Sequence, residues 1–273
     1  MMFMPDSEVD ICNNEPLQVL KQFTNARIAL GSVGTSLPVK ANLEFKLAHA
    51  LARDSVSIPL DFSFLTQQLG KQQATIQLQS QVSNHAEYLQ RPDKGRLLSL
   101  DSVAKLDKPE EQKDSPDIAI IVADGLSSTA IANHAPALLN KLNPELHKAD
   151  YLISLIYLVK YARVAIGDPI GELVNAKMSV VLIGERPGLS SLDSMSIYFT
   201  YQPKSGNTDA QCNCISNIHK LGLDYHTAIQ KLMFLIGDAS RLQFSGVNLK
   251  DTTSDDKALK SHLQQRNFLL ESF

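Results

Sequence analysis

Short apolar runs alternate with longer amphipathic segments through the second half of the chain. Runs rich in β-branched residues are typical of strands buried on both faces of a parallel sheet, whereas apolar residues spaced three or four positions apart indicate helices. The alternation therefore predicts an α/β fold with a doubly wound, Rossmann-like, mostly parallel sheet. The predicted strands are residues 117–123, 151–159, 180–183 and 196–201, and the predicted helices follow residue 128 and span residues 166–173 and 225–242.

The first part of the chain has the pattern of a small, mostly helical module. A helix that begins at Val39 and ends before Ile58 carries Leu43, Leu47 and Leu51 on one side. A shorter helix is predicted over residues 62–69, and a brief strand follows around residues 76–78. The charged, proline-containing segment 105–117 predicts a boundary between layers or domains. We therefore expect a tail at residues 1–16, the helical module at residues 17–110 and the sheet domain at residues 111–273.

Composition and charge exclude several classes of partner and site. The chain has 273 residues and a net charge of −3, so it has no broad basic surface for nucleic acid. No apolar run approaches the roughly 20 residues that span a bilayer, and the acidic N-terminal segment does not resemble a secretory signal. Cys12, Cys212 and Cys214 do not match the spacing of zinc or redox motifs, so we expect reduced thiols in a cytoplasmic compartment.

Polar and glycine-rich segments follow the predicted strands. The run at residues 180–183 leads into Gly184, the charged pair Glu185–Arg186 and Pro187, which together predict a rigid turn at the end of a central strand. In open α/β sheets, ligands bind outside the carboxyl ends of the strands. We therefore expect these segments to meet in one crevice, where their polar groups suit the amides and hydroxyls at the edge of a large cofactor. The segments are residues 124–125, 163–168 and 184–188, and the predicted loop 213–219.

The same residues leave simpler interpretations open. The chain lacks the glycine patterns of dinucleotide and nucleoside triphosphate sites and the GxSxG nucleophile motif, and its seven histidines have no metal-ligand spacing. Cys214, with His219 nearby, could act as a nucleophile or be a packed neutral thiol. Glu185 could act as a general acid or base, or form an ion pair with Arg186 or another cation.

Several strings in the chain resemble the small (light) subunit of ethanolamine ammonia-lyase. The resemblance runs from about residue 17 to Asp251, and GERPGL and CISNI are its most specific parts. The strings are ARIALGSVGTSLP (26–38), LAHALARD (47–54), YLQRPDKGR (88–96), VADGLS (122–127), RVAIGDPIGE (163–172), VVLIGERPGLSS (180–191) and NCISNI (213–218).

This resemblance implies a function that the pattern of residues does not. The family's enzyme uses adenosylcobalamin to convert ethanolamine to acetaldehyde and ammonia, and its large (heavy) subunit carries the chemical residues. The small subunit would close over the cobalamin within a hetero-oligomer, with no catalytic or metal-ligating residue of its own. Motif matching carries the cobalamin contacts to Val164, Glu185 and Cys214. The implied location is the cytoplasm or, within it, a bacterial microcompartment, to which a longer N-terminal extension directs some relatives.

Two hypotheses from other classes compete with this one. The first is a self-contained α/β hydrolase or transferase that uses Cys214 or Glu185. The second is a structural scaffold subunit that does not contact the cofactor.

Overall fold

The computed structural model describes residues 16–24, 26–69, 73–107 and 115–251. The predicted tail, apart from Pro16, lies outside these ranges, as do Cys12, part of the predicted connector and residues 252–273. Within them, no helix is both long enough and apolar enough to cross a bilayer.

Six strands form a single mixed sheet in the order β1-β3-β2-β4-β5-β6. Strands β1, β3, β2 and β4 run parallel to one another, whereas β5 is antiparallel to β4 and β6 is antiparallel to β5. The predicted α/β class and the mostly parallel sheet are therefore confirmed. The strands are β1 (Thr75–Gln79), β2 (Ile118–Ala123), β3 (Ile153–Lys160), β4 (Met178–Gly184), β5 (Met195–Tyr201) and β6 (Cys212–Ile218).

Seven α-helices accompany these strands in the described ranges. The bounds of α1, α2 and α7 agree with the helices predicted from the sequence. The helices are α1 (Val39–Ser57), α2 (Phe62–Leu69), α3 (His85–Gln90), α4 (Leu100–Leu106), α5 (Ser128–Lys148), α6 (Gly167–Leu173) and α7 (Tyr225–Leu242).

Helices cover both faces of the sheet because its central strands are apolar on both sides. Every residue of β2 and of β4 is buried. Ile120 and Val122 contribute to a core cluster with α2, α5 and α7, whereas Ile121 contributes to a second cluster with α4 and α6. The doubly wound, Rossmann-like topology and the domain boundaries remain predictions. Strand β1 lies within the predicted helical module, and it pairs with β3 of the sheet.

One prediction about the sheet was wrong. Residues 213–218 were expected to be a loop, but they belong to β6 at the edge of the sheet. Their asparagines and cysteines resemble a loop in composition. Asn213 is nevertheless satisfied within the strand, because its amide donates to the carbonyls of Gly246 (3.1 Å) and Leu249 (2.8 Å). The antiparallel direction of β5 follows from the helix-free connection 185–194, which is too short for a parallel crossover.

Helix α1 turns its apolar stripe away from the core. Leu43, Leu47 and Leu51 share one side, as predicted, but they are 59%, 60% and 44% exposed. The only residue of the helix that is buried is Ser55, which is still 8% exposed. The largest side chains of α1 therefore form an apolar surface rather than part of the interior.

Candidate functional site

A cleft of about 280 Å³ lies where β2, β3 and β4 end. The segments that follow these strands form one side of the cleft, and residues of β5 and β6 form the other. This is the edge at which α/β sheets bind ligands. Its lining residues are Tyr88, Gly125, Leu126, Arg163, Val164, Ile183, Gly184, Glu185, Arg186, Ser196, Tyr198 and Ser216.

Two glycines let the ends of β2 and β4 meet in the cleft. Gly125 adopts a left-handed conformation with φ of +63°, which favours glycine. A Cβ atom on Gly184 would overlap the backbone carbonyl of Ser127. A hydrogen bond of 3.0 Å from the backbone N–H of Leu126 to the carbonyl of Gly184 joins the turn after β2 to the end of β4. These contacts account for Gly125 of the VADGLS string and for Gly184, the first glycine of the GERPGL string.

Asp124 fixes the segment that follows β3. Its buried carboxylate accepts hydrogen bonds from the backbone N–H groups of Gly125 (2.9 Å), Tyr161 (2.6 Å) and Ala162 (3.0 Å). Burial raises the pKa of Asp124 to about 6, although the three N–H donors oppose this shift. Because Ala162 precedes Arg163, these bonds set the position at which Arg163 and Val164 enter the cleft.

Glu185 is held as a carboxylate by groups on β5 and β6. Its side chain accepts hydrogen bonds from the hydroxyl of Ser196 and from the backbone N–H of Asn217, the latter at 2.9 Å. Burial alone would raise its pKa, but the hydrogen bonds from Asn217 and Ser196 bring the pKa below its usual value. Among the described residues, Glu185 forms no ion pair, so the pairing with Arg186 is not present.

Cys214 has the surroundings of a neutral thiol. It lies opposite Tyr198 in the register of β5 and β6. Desolvation raises the pKa of its thiol, and this outweighs the hydrogen bonds from Tyr198 and Ser196. The ring of His219 contacts the side chain of Asn217 at 2.9 Å and the backbone N–H of Leu221 at 3.4 Å. The described contacts therefore give Cys214 no activating base.

The structure brings the three residues selected from the sequence to one region. Val164 and Glu185 line the same cleft, and Cys214 adjoins it through Tyr198 and Ser196. Tyr198 could not be identified from the sequence, because residue alternation in a strand does not show which polar side chain faces a ligand cleft. Tyr88 was also missed, although the YLQRPDKGR string contains it.

Comparisons with known proteins give one consistent result. A sequence model described as "Ethanolamine ammonia-lyase light chain (EutC)" matches residues 14–250. The chain is 45% identical over 276 residues to a Pseudomonas fluorescens SBW25 protein named "Ethanolamine ammonia-lyase small subunit", with 98% of each chain covered. Proteins with the same name from Pseudomonas fluorescens Pf-5 and Pseudomonas aeruginosa UCBPP-PA14 are 47% and 44% identical. These alignments cover 88% of both chains in the first case, and 98% of this chain and 97% of the relative in the second. The chain therefore belongs to the family of ethanolamine ammonia-lyase small subunits, or light chains.

Proposed function

We propose that this chain is the small subunit of an adenosylcobalamin-dependent ethanolamine ammonia-lyase and completes the cobalamin site at an interface with a large subunit. The family membership supports the lyase assignment, and the name of the family implies a larger partner. The observation that carries the cofactor proposal is the meeting of Val164, Glu185 and Cys214 around one cleft.

The residues of the cleft fit the periphery of a corrinoid. Leu126, Val164 and Ile183 offer apolar surface, and Glu185, Ser196 and Tyr198 offer oxygen atoms that suit amide side chains. A volume of about 280 Å³ holds only part of so large a cofactor. The remainder must lie against another surface, which agrees with a site shared between two subunits.

The proposed roles follow from the chemistry of each side chain. Val164 packs against apolar parts of the corrinoid, and the carboxylate of Glu185 accepts a hydrogen bond from an amide of its periphery. The neutral thiol of Cys214 supports Tyr198 and Ser196 from the β6 side. When bound, the cofactor supplies the radical chemistry that begins with homolysis of its cobalt–carbon bond. The residues of this chain orient it and exclude water.

The exposed face of α1 supports a protein partner. Val39, Leu43, Leu47 and Leu51 recur every four residues, and each is between 44% and 74% exposed. Contiguous apolar surface of this kind marks interaction sites. We assign this face to contact with the large subunit. The unpaired thiols of Cys212 and Cys214 agree with the reducing cytoplasm that we propose as its location.

Reconstitution tests the proposal. The isolated chain should not deaminate ethanolamine, and activity should return when the large subunit and adenosylcobalamin are added. In the complex, Glu185→Gln should weaken cobalamin binding by roughly tenfold, because a charge-assisted hydrogen bond becomes a neutral one. Glu145→Gln, which alters an exposed carboxylate paired with Lys148, serves as the matched control. Deamination by the lone chain, or equal binding by both variants, contradicts the proposal.

A further inference from the structure

Arg163 is a charged residue of the cleft that the proposed cobalamin contacts do not use. It lines the cleft beside Val164, but among the described residues no carboxylate forms an ion pair with it. Its Nε atom is buried and has no hydrogen-bond partner. Partial burial of a guanidinium without an anion costs free energy. No described carboxylate compensates the positive charge of Arg163 on this side of the cleft.

The YLQRPDKG segment holds Arg163 in place. The backbone N–H of Arg163 donates to the carbonyl of Gly95 (2.8 Å), and its Nη2 donates to the carbonyl of Tyr88 (2.9 Å). The guanidinium carbon lies 4.3 Å from the centre of the Tyr88 ring. The Tyr88 hydroxyl in turn donates to the carbonyl of Ala162 at 2.9 Å.

Gly95 leaves the space that the stem of Arg163 occupies. A Cβ atom at residue 95 would lie 2.8 Å from Cγ of Arg163. Tyr88 and Gly95, at the two ends of the YLQRPDKG segment, therefore both contact Arg163. This arrangement fixes the orientation of the guanidinium before any ligand binds, which lowers the entropic cost of binding.

A second guanidinium lines the same cleft. Arg186 is exposed and, among the described residues, also forms no ion pair. The carboxylate of Glu185 is bound to groups on β5 and β6, whereas Arg163 follows β3. Because β3 and β5 are three positions apart in the sheet, roughly 14 Å, the Glu185 carboxylate and the Arg163 guanidinium serve different ends of the cleft. Arg186 follows β4, which lies between β3 and β5, so it enters the cleft between these two ends.

We propose that Arg163, assisted by Arg186, binds the phosphodiester of the nucleotide arm of the cobalamin. The planar fork of an arginine matches the oxygen atoms of a phosphate, and the cofactor carries one such anion on an otherwise neutral periphery. This inference rests on the proposed function, since it assigns one part of the cofactor to one end of the cleft. It also gives the YLQRPDKG segment a role, which is to position the arginine.

Two corrinoids that differ by a single phosphate isolate this contact. Equilibrium dialysis of the complex with its large subunit compares cobinamide phosphate with cobinamide, which lacks the phosphate. Arg163→Gln should weaken binding of cobinamide phosphate by roughly tenfold or more and leave binding of cobinamide unchanged. Arg186→Gln should act in the same direction with a smaller loss, and added salt should reduce both losses.

The chain offers a matched control and clear contrary outcomes. Arg91→Gln also removes one arginine charge, from the YLQRPDKG segment that holds Arg163, but Arg91 is exposed, pairs with Asp93 and does not line the cleft. It should change neither affinity. Equal weakening of both corrinoids by Arg163→Gln shows a merely structural role and overturns the proposal, and so does the absence of any effect.

Failure of this inference is distinguishable from failure of the proposed function. If Glu185→Gln weakens both corrinoids while Arg163→Gln shows no phosphate-dependent loss, only the phosphate assignment falls. If neither variant changes either affinity, the cleft is not the corrinoid site and both proposals fall. If Arg163→Gln prevents assembly, the Arg186→Gln variant is the test instead, because Arg186 is exposed. A loss of affinity for cobinamide phosphate alone then supports the assignment, and the absence of such a loss overturns it.

Discussion

Replacement of Gly184 by alanine tests the close approach that closes one side of the cleft. A Cβ atom there would overlap the carbonyl oxygen of Ser127 and lie 2.7 Å from its carbonyl carbon and 2.9 Å from the carbonyl oxygen of Asp124. All three contacts are with backbone atoms, which cannot rotate away as the end of a side chain can. The end of β4 and the turn after β2 must therefore separate by roughly 1 Å to accept the methyl group.

The structure gives the size of the expected effect. Overpacking of this kind costs about 1–3 kcal/mol. Separation also breaks the 3.0 Å hydrogen bond from the N–H of Leu126 to the carbonyl of Gly184, which adds about 1 kcal/mol. We therefore expect Gly184→Ala to lower the free energy of unfolding by about 2–4 kcal/mol. The midpoint of urea denaturation should fall by about 1 M, for a slope near 3 kcal/mol/M.

Gly188, four residues further along the same string, provides the control. A Cβ atom on it would meet only the Ser191 backbone, at 3.4 Å or more, which is ordinary contact. Gly188→Ala should leave the free energy of unfolding unchanged within about 0.5 kcal/mol, and so leave the urea midpoint almost unchanged. In the complex, Gly184→Ala should weaken corrinoid binding and Gly188→Ala should not. Equal midpoints for the two variants would refute the packing argument.

Three further predictions concern other parts of the chain. Because the pKa of Asp124 is raised from 3.8 to about 6 on folding, its contribution to stability is present at low pH and falls by about 3 kcal/mol as pH rises through that window. The difference in unfolding free energy between the native chain and Asp124→Asn, measured in urea at several pH values, should show this fall; a constant difference contradicts it. Leu47→Asp should abolish co-purification with the large subunit without lowering the melting temperature, whereas Leu100→Asp, at a position 84% exposed outside the α1 stripe, should not; equal behaviour removes α1 from the interface. At neutral pH, Cys214 should react with iodoacetamide more slowly than a free thiol even though it is exposed, because the pKa of its thiol is raised; alkylation faster than that of a free thiol would revive the nucleophile hypothesis.

The sequence predicted those elements whose pattern is set by burial. Helix α7 was placed at its observed bounds because its apolar residues repeat at helical spacing, and β2 was recognised because it is apolar throughout. Strand β6 was missed because its polar side chains are satisfied by contacts with residues far along the chain, as Asn213 is by Gly246 and Leu249. Local composition does not contain that information.

The candidate site shows the same division. The pattern of strands flagged the segments that contain Glu185 and Val164, the family resemblance selected those two residues within them, and the parallel order of the strands brings them to one edge. The contacts of Tyr88 and Gly95 with Arg163 could not be predicted, since these two residues lie about 70 residues earlier in the chain. A stripe such as Leu43, Leu47 and Leu51 also has the same periodicity whether it packs inward or outward, so its exposure became visible only in the fold.

The outward stripe of α1 also bears on how a cell must produce this chain. A copy of the chain whose α1 stripe is not covered keeps several leucines in contact with water, where they can associate with one another or be recognised by chaperones and proteases. If α1 binds a large subunit as we propose, the cell must balance the synthesis of the two subunits, and surplus copies of this chain should accumulate as aggregates or be degraded.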